Sequence, residues 1–228
     1  MELHRAAVGA PELAANSYKT AVSRVTASAP ARALVDVVGS LVHDIAPAPR
    51  SRRMRVSAKR YSDRRPGASA VGDVLDFGTG RGADVEFYRR QGLDAAGYDI
   101  HPGFGFDTEP DRRFRVATAT YVLNVIPTAT GRIDALRHAA SFLAPGGALI
   151  VVTRSAASIE REARAHGWAR TGDGYLSHRG RQTFQKGMTP AEIAELGRRA
   201  GLAESPVAGL PVIADASVVV LRKPGGPR

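Results

Sequence analysis

The chain has 228 residues, of which 43% are hydrophobic and 24% charged, with a formal net charge of +10 and no cysteine. That length suits one well-buried domain with an extension, and the composition is that of a globular chain. Disulfides, thiolate metal sites and a cysteine nucleophile are excluded, and no apolar run approaches the length needed to cross a bilayer.

Residues 1–70 read as a helical extension. The amino-terminal MELHRAAVGAPELAANSYK lacks the continuous apolar core of a signal peptide, so a cytoplasmic protein is expected. Between Ala31 and Ile45, apolar residues recur at Leu34, Val38, Leu41 and Ile45, which is helical spacing with one buried face. Pro30 suits the start of that helix and Pro47-Ala48-Pro49 ends it. Arg50 to Arg65 follows, with eight basic residues and one acid, so it carries +7 of the net +10. This stretch reads either as a phosphate-contacting arm or as a solvated linker. Tyr61 is its one aromatic residue, which gives stacking recognition of single strands no support.

From Asp73 onward, strand and helix patterns alternate as in a mostly parallel sheet. Strands are predicted near 73–77, 94–99, 113–119 and 147–153, with a last one over 217–222. Helices are predicted over 83–91, 133–143 and 190–200. The last of these is announced by Thr189-Pro190-Ala191-Glu192, with capping-box spacing and proline at the first helical position. Residues 71–228 are therefore expected to form one doubly wound α/β domain. Arg154 to Gly187 is long for a connection and reads as a lid or binding loop.

The chemistry is concentrated in VLDFGTGRG, Val74 to Gly82. An apolar run ends in Asp76 and passes straight into Gly78, Gly80 and Gly82, the pattern of a buried strand turning into a helix around a ligand. A second apolar run ends at Asp99, close to the spacing at which a carboxylate accepts hydrogen bonds from ribose hydroxyls. The string Gly78 to Ala83 also satisfies the relaxed dinucleotide fingerprint. A carboxylate at Asp76 would repel a pyrophosphate, however, whereas a ligand carrying an ammonium and a sulfonium welcomes it. The cofactor with adenosine at one end and cations at the other is S-adenosylmethionine.

These residues resemble the class I S-adenosylmethionine-dependent methyltransferases. Besides Asp76-x-Gly78-x-Gly80-x-Gly82 and Asp99, the segment Phe114 to Thr120 followed by YVLNVIP is similar to that family's fourth strand and the turn after it. LAPGGALIVV is similar to its Pro-Gly-Gly turn into the fifth. The resemblance implies a Rossmann-like sheet, an antiparallel final strand, and a cofactor site formed by Asp76, Gly78, Thr79, Gly80, Gly82, Asp99, Ile100 and Thr118. Only thirteen residues separate Asp99 from Arg113, too few for the family's usual helix and third strand. The acid that often contacts adenine there has no clear counterpart, and Asp107 stands as its substitute. A narrower resemblance, carried by Tyr18-Lys19-Thr20-Ala21, DFGTGRGADV, TYVLNVIP and TFQKGMT, is to the methyltransferases associated with DNA phosphorothioation.

Methyl transfer from a sulfonium needs an acceptor held in line and, where required, a proton removed. Asn124, Tyr121 and His178 are the candidates for that work. Asn124 reads equally as the cap of a helical turn, Tyr121 as core, and His178 as a solvated loop residue. The other histidines show no ligand spacing, so no metal is expected. Lys19, Gln185 and Lys186 are assigned to the acceptor side, because the extension and the long segment after the strand near 147–153 both reach the carboxyl ends of a doubly wound sheet. The expected acceptor is a nitrogen or oxygen of a small molecule. A nucleic acid guided by residues 50–65 is the alternative, weakened by TYVLNVIP in place of an Asp/Asn-Pro-Pro-aromatic motif. An NAD(P)-dependent oxidoreductase is the further alternative.

Overall fold

The computed structural model describes residues 26–45, 71–178 and 183–225. Helix α1 (Ala29–Asp44) precedes strand β1 (Gly72–Phe77), helix α2 (Ala83–Arg90), β2 (Ala95–Tyr98), β3 (Phe114–Thr120), α3 (Ala129–Ser141) and β4 (Leu143–Arg154). Helix α4 (Ala156–His166), strands β5 (Ala169–Thr171), β6 (Gly174–His178) and β7 (Thr183–Gln185), helix α5 (Pro190–Arg199) and strands β8 (Ala203–Glu204) and β9 (Ala216–Arg222) follow.

The main sheet runs β2-β1-β3-β4-β9-β8. Its first four strands are parallel, and β9 returns antiparallel against β4 along Ala148↔Arg222 to Arg154↔Ala216. Strand alternation sends successive residues to opposite faces, and both faces are covered. Val74, Val116, Ile150 and Val220 pack with α1 and α2, while Leu75, Ala117, Leu149, Val151 and Leu221 pack with α3 and α5.

Helix α1 buries Leu34, Val38 and Leu41 of the predicted stripe, with Ala31 and Val37 beside them, so the described helix of the extension is a layer of the core. Ser28 caps it by accepting a hydrogen bond from Ala31 N at 3.1 Å. The capping box of α5 is formed as its sequence announces, with Glu192 N bonded to Thr189 Oγ1 and Thr189 N to Glu192 Oε2.

Three boundaries differ from expectation. Helix α3 starts four residues before Ile133, because the Thr128 hydroxyl accepts from Gly131 N and opens it there. The Pro-Gly-Gly turn lies within β4, where the register against β3 jumps between Phe114↔Leu143 and Val116↔Ala148. The span 154–187, read as a lid or loop, carries helix α4 and the antiparallel sheet β5-β6-β7. Strands of three to five residues are too short to show a clean alternation in sequence. Between β2 and β3 only a short 3-10 turn, Pro102–Phe104, is found, so β2 is the edge of the sheet.

Candidate cofactor and acceptor site

Strand β1 delivers Asp76 to the carboxyl end of the sheet, 3% exposed, where the Thr118 hydroxyl of the paired strand donates to its Oδ1 at 2.8 Å. The chain then reverses through Gly78 (φ 76) and Gly82 (φ 81), both in the left-handed region. A Cβ at Gly78 would run into Val122, and one at Gly82 into the Phe106 ring, so only glycine fits this turn. Gly80 N donates to Asp99 Oδ2 at 2.8 Å, and His101 N donates to Asp99 Oδ1 at 2.9 Å. The carboxylate at the end of β2 is thereby fastened to the glycine turn at the end of β1. Ile100 beside it is 44% exposed, an open apolar surface next to the predicted ribose acid.

Burial pushes the Asp76 carboxyl up to about 7, and the nearby Asp84 carboxylate adds to the effect, while the Thr118 hydrogen bond opposes it. Among the described residues no salt bridge reaches Asp76. A buried acid without a cation favours a positively charged ligand group, because the ligand supplies the charge that the fold omits. The residues therefore fit S-adenosylmethionine: Asp76 would answer its ammonium, the glycine turn would admit close approach, and the Asp99 carboxylate would accept from its ribose hydroxyls.

Sequence inspection missed three residues here. Asp84, in the first turn of α2, accepts from Ser28 N at 2.6 Å and Ser28 Oγ at 2.7 Å, tying the start of α1 to the glycine turn. Phe106 covers Gly82 and Gly97, and its carbonyl accepts from Asp99 N at 2.9 Å. The chain folds back so that this ring takes the covered place, while Asp107, the substitute named for the adenine acid, is exposed. Only the capping pattern Ser28-x-x-Ala31 gave any signal for these contacts, and it gave none for their partners.

On the opposite side of the turn after β3 stand the acceptor candidates. Tyr121 takes φ 60, an unusual conformation for a bulky residue, with its N–H donated to Val152 O at 2.7 Å. Asn124 lies in the 3-10 turn Leu123–Val125 and is 3% exposed. Its Nδ2 donates to Gln185 Oε1 at 2.9 Å across 61 residues of sequence, and its backbone carbonyl accepts from Lys186 N at 2.8 Å. The Asn124 Oδ1 atom is buried without a hydrogen-bond partner. Asn124 and Gln185, predicted separately, are thus brought together.

The other candidates fall elsewhere. Lys186 follows Gln185 and points the other way, as neighbours on an extended chain do. Its Nζ lies 3.1 Å from Glu192 Oε1 and 3.7 Å from Asp173 Oδ2, so its charge is already paired within the protein. That pairing replaces the expected role of neutralising an acceptor. His178 is exposed at the end of β6 opposite Thr183, two residues short of Gln185 along β7. Lys19 and Arg50 to Arg65 lie outside the described residues.

Residues 41–204 match the family model described as "Methyltransferase domain". No curated protein matches the chain significantly. Among solved structures it is similar to DesVI of Streptomyces venezuelae, with 16% identity over 86% of this chain and 90% of that one and a TM-score of 0.54. It is similar also to the CcbJ methyltransferase of Streptomyces caelestis, with 15% identity, coverage of 96% and 98%, and a TM-score of 0.53. A third is the amino pentose methyltransferase CalS10 from Micromonospora echinaspora, solved with its S-adenosylmethionine bound, at 14% identity, coverage of 85% and 90%, and a TM-score of 0.51. The dinucleotide and oxidoreductase alternative is set aside by the family match and by the buried acid ahead of the glycine turn. The chain belongs to the methyltransferase domain family and is an S-adenosylmethionine-dependent methyltransferase.

Proposed function

We propose that the protein methylates a nitrogen or oxygen of a small molecule held against Asn124 and Gln185. The observation that carries this reading is the amide pair. One hydrogen bond joins the two side chains, and Asn124 Oδ1 is left buried and unsatisfied. A buried carbonyl without a donor costs about 1–3 kcal/mol, which an acceptor's N–H or O–H would recover. Whichever way the two amides are turned, the pair leaves one carbonyl oxygen and one NH2 group for a ligand. The cofactor supplies a methyl group already activated by its sulfonium. What remains for the protein is to aim the acceptor's lone pair along the breaking carbon–sulfur bond and let its proton pass to water or a base.

Tyr121, in its left-handed conformation three residues before Asn124, is assigned to the same wall, and His178 to its outer edge. Lys19 is assigned to the acceptor side with them. The amino pentose acceptor named for CalS10 supports a small polar substrate as the first class to try. The likeness of TYVLNVIP and TFQKGMT to the phosphorothioation-associated methyltransferases supports the same division of the site, since these segments supply Asn124 and Gln185. We include association with such a system in the proposal.

The test is transfer of labelled methyl from S-adenosylmethionine into a low-molecular-mass metabolite fraction, DNA and RNA, offered separately. Label in the small-molecule fraction, lost in Asn124→Ala, is the expected result. Label in nucleic acid alone would replace the reading with the alternative.

A further inference from the structure

Among the described residues Arg132 heads the fully buried side chains by volume, at 1% exposure, and nothing in the sequence marks it. A guanidinium is tolerated in such a place only where its donors are used. Here Nε donates to Ile126 O at 3.0 Å, Nη1 to Asp173 Oδ2 at 2.6 Å and Nη2 to Asp173 Oδ1 at 2.8 Å, a two-pronged bond to one carboxylate. The Phe184 ring lies 5.8 Å from the guanidinium carbon.

These partners are the immediate neighbours of the amide pair. Ile126 closes the 3-10 turn that holds Asn124, and Phe184 precedes Gln185. Asp173 sits in the tight turn between β5 and β6, followed by Gly174, where a Cβ would collide with the Phe184 ring and approach Gln185 O at 2.6 Å. The turn therefore presses directly on β7. Lys186 and Glu192 carry the same network on to α5.

We propose that Arg132 is the positioning residue of the acceptor wall: by joining the Ile126 carbonyl to Asp173 across the face of Phe184, it fixes the register in which Asn124 and Gln185 meet. This rests on the reading of that pair as the acceptor site. An apolar side chain of similar volume would fill the core without the desolvation cost of an ion pair. What a planar fork adds is orientation, since it bonds the helix side and the hairpin side in fixed directions at once. Lysine, a point charge with rotatable donors, cannot reproduce this.

The test compares Arg132→Lys and Asp173→Asn with Arg137→Lys, an exposed position on the same helix paired with Asp134. Calorimetry with S-adenosylhomocysteine reads the cofactor half. Hydrogen exchange of the Asn124 side-chain amide by NMR reads the acceptor half, and a merely structural contact elsewhere in the core would leave it unmoved. Arg132→Lys and Asp173→Asn should speed that exchange about fivefold to tenfold, as expected for loss of one net hydrogen bond, with S-adenosylhomocysteine affinity within about twofold of the parent. Arg137→Lys should change neither. Asp173 lies in a half-exposed turn, so its variant decides the matter even where Arg132→Lys does not fold. Unchanged Asn124 exchange in Asp173→Asn, or an equal loss of cofactor affinity, would overturn the assignment. Failure of the parent protein to bind S-adenosylhomocysteine would overturn the functional reading instead, and the exchange measured without ligand would still decide Arg132.

Discussion

The proposed cofactor half of the site is assembled from two adjacent strand ends and the turn between β1 and α2, whereas the proposed acceptor half is assembled from a 3-10 turn, a helix and a separate small sheet. In the first, a backbone amide closes the glycine turn, Gly80 N to Asp99, 19 residues on, and the side-chain bonds of Thr118 to Asp76 and Ser28 to Asp84 brace it across 42 and 56 residues. In the second, Asn124 reaches Gln185 across 61 residues and Arg132 reaches Asp173 across 41. The turn at the centre of the cofactor half is set by backbone geometry that tolerates only glycine at Gly78 and Gly82. Side-chain pairing holds the acceptor half, and it can be retuned without touching the strands. A common cofactor and a private acceptor would call for that division, because the first must stay constant while the second is free to vary.

The largest effect is expected at Gly78. A valine there takes on a positive φ and a collision with Val122, so S-adenosylhomocysteine affinity should fall about 100-fold or more in calorimetry, roughly the strain of 1–3 kcal/mol plus overpacking. Retained binding would show that the turn is not the cofactor's bed.

Next comes Asp76. Its carboxyl is raised in the folded state from 3.8 to about 7, so the protonated form is the stabilised one. The contribution is fully present below the unfolded value and is lost as pH rises through about 7, so the cofactor-free protein should lose stability between about pH 4 and 7 from this group. Asp76→Asn should flatten that slope and melt higher than the parent near neutral pH, while binding S-adenosylhomocysteine more weakly. Thermal melts across pH, with and without ligand, check both signs.

Ser28→Ala removes the cap of α1 and the hydroxyl bond to Asp84, leaving the backbone N–H bond in place, and should cost about 1–2 kcal/mol in urea unfolding. Some loss of cofactor affinity should accompany it, since Asp84 neighbours the glycine turn. Gln185→Ala should cost only about 0.5–1.5 kcal/mol, because its partner is one neutral hydrogen bond, and should leave S-adenosylhomocysteine affinity untouched. A double-mutant cycle with Asn124→Ala, read by unfolding, should return most of that figure as coupling. Zero coupling would mean that the two amides act apart.

Strands β1 to β4 and β9, the glycine turn, Asp76 and Asp99 were legible in the sequence because each is a local necessity. Buried strands must be apolar, a reversal at positive φ needs glycine, and an acid at a strand end stands out against an apolar run. The α5 capping box and the α1 stripe were legible for the same reason, as periodicities of consecutive residues. What tertiary structure alone decided was which polar residues meet. Nothing near Asn124 in sequence points to Gln185, nothing near Arg132 points to Asp173, and Lys186 was assigned to the acceptor although chain alternation turns it toward Glu192 and Asp173. Likewise Ser28 and Asp84, 56 residues apart, carry no pattern until α1 lies against the sheet. Hydrogen bonds between distant side chains have no periodicity, so they exist as information only after the helices have packed.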